Sequence, residues 1–79
     1  MKKAKTKEEK FLIAAYETAG GIDQEVDRYE VGQKIGLHPR GINTICQELT
    51  QANFIKKRGP SAIVVTGHGL QLIDQLKEA

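Results

Sequence analysis

The chain has no tryptophan, one cysteine, two prolines and only 5% aromatic residues. A lone cysteine, Cys46, excludes an internal disulfide, so packing alone must hold the core. No stretch approaches the roughly 20 consecutive apolar residues that a membrane-spanning helix needs, and no membrane partner is expected. Net charge is scarce too: 12 Lys and Arg oppose 10 Asp and Glu, leaving +2. That is too little to argue a nucleic-acid partner by itself. At 79 residues, folding buries only roughly 60–65% of the accessible surface, which excludes a deep cleft between two domains. Met1-Lys2-Lys3 ahead of Phe11-Leu12-Ile13-Ala14-Ala15 faintly mimics a signal peptide. Glu8, Glu9 and Glu17 bracket that apolar run, however, and it is shorter than the usual ~7–15 residues. The expectation is a cytoplasmic protein.

What is present is ordinary for a folded chain, with 39% hydrophobic and 28% charged residues. The charges are not spread evenly. Residues 1–10 carry Lys2, Lys3, Lys5, Lys7 and Lys10 against Glu8 and Glu9. Residues 17–30 carry Glu17, Asp23, Glu25, Asp27 and Glu30 against Arg28. Residues 38–58 carry Arg40, Lys56, Lys57 and Arg58 against Glu48. Two basic blocks around an acidic one can fold into a dipolar object whose basic face meets a polyanion. Plain solvation of the surface is the alternative.

Residues 1–6 read as a flexible basic arm and 7–79 as a single domain. Thr6-Lys7-Glu8-Glu9 is a capping box, followed by Phe11, Leu12, Ala15, Tyr16 and Ala19 at helical spacing. The pattern predicts a helix from Lys7 to Ala19, stopped by Gly20-Gly21. Ile22 to Val26 makes at most one brief strand. Asp27-Arg28-Tyr29-Glu30 is a second capping box, opening a helix that carries Val31 and Ile35 and ends at Gly36. Pro39 suits the first turn of a third helix. Within it Ile42, Ile45, Cys46 and Leu49 fall at i, i+3, i+4 and i+7, a buried stripe. Asn53 is its expected left-handed terminator. Phe54–Arg58 and Ala62–Thr66 then read as a hairpin across Gly59-Pro60-Ser61, with Ile63 and Val65 inward and Val64 outward. A last helix places Leu70, Ile73 and Leu76 on one side.

This order resembles a winged helix-turn-helix domain, similar to small marR-like bacterial transcriptional regulators. The resemblance is carried by Tyr29-Glu30-Val31-Gly32-Gln33-Lys34-Ile35-Gly36-Leu37, by Leu49-Thr50-Gln51-Ala52-Asn53-Phe54-Ile55 and by Ile63-Val64-Val65-Thr66-Gly67-His68-Gly69. It implies an α+β, mostly α fold, with a three-helix core, a two-stranded wing and a C-terminal helix. Gly32 would let the second helix cross the third closely, offsetting a helix-propensity cost of roughly 0.5–1 kcal/mol. Leu37 would plug the corner between them. His38 and Gly41 depart from the pattern, since histidine caps a helix weakly and glycine loosens its first turn. The hairpin tip is short and uncharged.

If the apolar stripe faces inward, Arg40, Asn43, Thr44 and Gln47 face outward together. A helix over residues 39–52 fits a B-DNA major groove, where Arg matches guanine O6 and N7 and Asn or Gln matches adenine N6 and N7. Thr44 could meet a thymine methyl or a phosphate. Lys56, Lys57 and Arg58 on the 55–66 hairpin, with Lys3 and Lys5 on the arm, could reach phosphates. The expected partner is double-stranded DNA, with a monomer or a homodimer both compatible. The alternatives are a solvated helix face and a protein-interaction module on the same scaffold, using the outward Val64 with the exposed margin of the last helix. No cofactor and no metal site are expected, because His38, Cys46 and His68 share no ligand spacing. A Ser61-His68-Asp74 triad has nothing to orient it, and Gly67-x-Gly69 lacks the third glycine of a dinucleotide loop. An enzyme is not expected.

Overall fold

The computed structural model describes residues 6–78, and its elements follow from short-range rules. Helix α1 spans Lys7–Ala19. The Glu9 amide donates to the Thr6 hydroxyl at 3.1 Å and the Thr6 amide to the Glu9 carboxylate at 2.8 Å. Both halves of the expected box therefore form. Gly20 ends the helix at φ 82°, the left-handed conformation that glycine adopts without strain. A two-residue strand β1, Val26–Asp27, leads into α2, Arg28–Lys34. There the Asp27 carboxylate accepts from the Tyr29 amide at 2.9 Å. Only the aspartate half of the second box forms.

Helix α3 runs Pro39–Gln51 and buries Ile42, Ile45, Cys46 and Leu49, the stripe expected from their spacing. His38 supplies no side-chain cap, as its imidazole suggests. At the other end Asn53 adopts φ 66°, and the Phe54 amide reaches back to the Leu49 carbonyl at 2.9 Å. Strands β2, Ile55–Lys57, and β3, Ala62–Val65, form the hairpin, and α4 spans Gly67–Glu78. The result is an α+β molecule, mostly helical, whose sheet has the order β1-β3-β2, antiparallel throughout.

Phe11, Leu12, Val31, Ile42, Ile63, Val65 and Ile73 are wholly buried. Each such side chain contributes about 1.5–3 kcal/mol relative to exposure. Two glycines set how closely the elements approach. A Cβ on Gly32 would collide with the Ile42 side chain, so glycine is what lets α2 cross α3 at this distance. The corner is then closed by the Leu37 amide donating to the Gly32 carbonyl at 2.9 Å, with Leu37 packed against the core.

Gly69 plays the same part at the start of α4, where a Cβ would run into the Phe54 carbonyl. Thr66 joins the two chains there. Its hydroxyl accepts from the Gly69 amide at 3.0 Å and lies 2.7 Å from the Asn53 carbonyl oxygen and 3.1 Å from that of Phe54.

One inward-outward assignment is overturned. Ile63 and Val65 are inward as expected, but Val64 is only 1% exposed rather than outward. Val64 stands on the pleat face opposite Ile63 and Val65, so burial of all three means that this middle strand is covered on both faces. Val64 lies outside the main core cluster, directly across from Lys56. With it goes the exposed apolar residue on which the protein-interaction alternative relied.

Candidate nucleic-acid interface

Because the stripe of α3 is buried, Arg40, Asn43, Thr44 and Gln47 are all solvent-exposed on the opposite face. They do not form one uniform patch. Arg40 and Thr44, one turn apart, border a groove shared with Leu37, Ile45 and the start of α1. Asn43 and Gln47, the next pair round, border a crevice between α3 and β2, together with Arg28, Cys46 and Lys57.

Internal hydrogen bonds narrow what these side chains can offer. The Thr44 hydroxyl donates to the Arg40 carbonyl one turn back, at 3.1 Å. Its methyl and lone pairs remain, so a thymine methyl suits it better than a phosphate, which needs a donor. Asn43 Oδ1 accepts from the Tyr29 hydroxyl at 2.9 Å. With the amide in this orientation, both Nδ2 hydrogens and one oxygen lone pair are left for a ligand.

Tyr29 is itself held by Arg28, whose guanidinium sits 5.1 Å from the ring centroid. One Arg28 nitrogen, Nη2, donates to the Pro60 carbonyl at 3.0 Å and lies 3.4 Å from the Tyr29 hydroxyl. A chain of polar contacts thus runs from the hairpin tip through Arg28 and Tyr29 to the exposed face of α3. The sequence marked these two residues only as parts of a helix cap. Their partners stand 14 and 32 positions away, so no local pattern signals the contact.

The basic triplet is divided by the pleat. Lys56, Lys57 and Arg58 are all exposed. Lys57 shares the sheet face of the buried Ile55 and borders the α3 crevice, whereas Lys56 alternates to the face carrying Val64. Lys3 and Lys5 lie outside the described residues.

Cys46 forms the crevice's apolar floor. Burial pushes its thiol up to about 11, against the pull of the nearby Arg28 and Lys57 charges. It is a small packed hydrophobe rather than a nucleophile. Compared with protein families, curated proteins and solved structures, the chain matches none.

Proposed function

We propose that the protein is a winged-helix DNA-binding protein and a transcriptional regulator, with α3 lying in the major groove of double-stranded DNA. The element order and the β1-β3-β2 sheet support the winged-helix reading. The observation that carries the function is the exposed polar face of α3, with Lys57 of the hairpin beside Asn43 and Gln47 at its edge. In this reading Arg40, Asn43, Thr44 and Gln47 meet base edges, and Lys56, Lys57 and Arg58 meet phosphates. An arginine–guanine or amide–adenine pair contributes ~1–3 kcal/mol of discrimination. The protein-interaction alternative loses Val64, which is buried, and keeps only the exposed margin of α4.

The test is titration of random-sequence and selected duplexes at several salt concentrations. The logarithm of affinity should fall against the logarithm of salt with a slope of about −0.9 per neutralised phosphate. Arg40→Ala should change the preferred sequence, and Lys57→Ala should weaken all duplexes alike. Salt-independent binding, or binding untouched by both substitutions, would discard the reading.

A further inference from the structure

We infer that the crevice between α3 and β2 is a seat for a phosphate group, built by Arg28 and Lys57 at its walls and finished by the side-chain amides of Asn43 and Gln47. The crevice has a volume of about 260 Å³, and no carboxylate lines it. Two cations thus converge on one recess with no anion among its lining residues. An anion entering there relieves their mutual repulsion, in surroundings where the Cys46 side chain and the strand wall lower the dielectric.

The donors suit a tetrahedral oxyanion. Arg28 Nη2 is tethered to the Pro60 carbonyl, so the guanidinium is held in place rather than waving in solvent. Its Nε is buried and has no hydrogen-bond partner among the described residues. Buried to that degree it is closed to a ligand oxygen as well, so the Nη hydrogens not spent on Pro60 are the ones left for an anion. The planar guanidinium offers paired N–H groups matched to phosphate, and the Lys57 ammonium adds a point charge. At the rim, Tyr29 holds Asn43 by its oxygen, which leaves the Asn43 amide hydrogens as the free end.

Nucleobases lack this match. A base would present a flat edge to a recess walled by two cations, whereas a phosphate supplies charge and several acceptors at once. The seat rests on the DNA-binding reading only for the source of its phosphate, either a nucleic-acid backbone or a free phosphate.

The experiment is a ¹H–¹⁵N titration of the intact protein with sodium phosphate, matched in ionic strength by sodium chloride. Phosphate, and not chloride, should shift the Arg28 Nε–H and the Asn43 and Gln47 amide signals along one saturable curve. Arg28→Gln should raise the phosphate dissociation constant about tenfold or more, as loss of charge-assisted bonds does. Arg28 also ties down the hairpin tip, so the second variant is Lys57→Met on an exposed strand position. It should weaken phosphate severalfold, while Lys56→Met, on the opposite sheet face, should not.

A response unsaturable in phosphate, or equal losses for Lys56→Met and Lys57→Met, overturns the seat. A random duplex shifting the same signals assigns the phosphate to the nucleic-acid backbone. Saturable phosphate binding with no duplex response keeps the seat for a free phosphate and removes the DNA reading.

Discussion

Gly32→Ala is the sharpest test of how α3 is held. The new methyl would collide with Cγ1 and Cδ1 of Ile42, a wholly buried side chain. Overpacking of this kind costs about 1–3 kcal/mol, as helices shift or rotamers strain. Alanine returns roughly 0.5–1 kcal/mol of helix propensity, so the net destabilisation should be about 1–2 kcal/mol. For a domain of this size that lowers the melting temperature by about 5–15 °C.

The collision is specific to two atoms, and a double-mutant cycle exposes it. Ile42→Ala removes both, at a cost of about 2–5 kcal/mol by itself. The nearest Ile42 atom left is Cβ, 3.5 Å from the new methyl, which is ordinary contact. In that background Gly32→Ala should therefore be neutral or slightly stabilising. Urea denaturation of the four proteins, followed by circular dichroism, gives the coupling, expected at about 1–3 kcal/mol. Equal damage in both backgrounds, or a Gly32→Ala protein as stable as its parent, would refute the close crossing.

Two other sites make independent predictions. Gly69→Ala meets a backbone carbonyl rather than a movable side chain, so calorimetry should show a loss of about 1–3 kcal/mol or more. Thr66→Val should lose about 1–2 kcal/mol, because the hydroxyl that caps α4 and bonds the Asn53–Phe54 chain is gone. For Cys46 the folded thiol ionises at about 11 against an ordinary 9.0. The unfolded chain loses its proton first, so the contribution is complete below pH 9.0 and declines as pH rises toward 11. The difference between wild type and Cys46→Ala in urea stability should shrink across that window, and native Cys46 should resist thiol reagents until unfolding. Rapid labelling of the native protein would contradict this.

Much of the fold could be read from neighbouring residues. The Thr6 box, the Gly20 stop, the Asn53 terminator and the i, i+3, i+4, i+7 stripe of α3 each need only a few consecutive side chains. Gly32 was also legible, because a glycine inside a helix calls for a reason such as close packing. Val64 was not. Alternation along a strand predicts two faces but says nothing of whether both are covered, which depends on what packs against each face from elsewhere in the chain. The capping box at Asp27 was half right: the aspartate caps the Tyr29 amide, and no reciprocal Glu30 bond forms.

Which residues of α3 turn inward and which turn out follows from helical periodicity, a property of consecutive side chains. What the outward ones still have to give depends on partners brought in by the fold. Tyr29 takes one acceptor site of Asn43, and the strand pleat sends Lys56 and Lys57 to opposite sides. Arg28 is drawn from a helix cap into a recess beside Lys57. Each of these outcomes depends on groups far apart along the chain, and a hydrogen bond or a charge acts through distance in space, not separation in sequence.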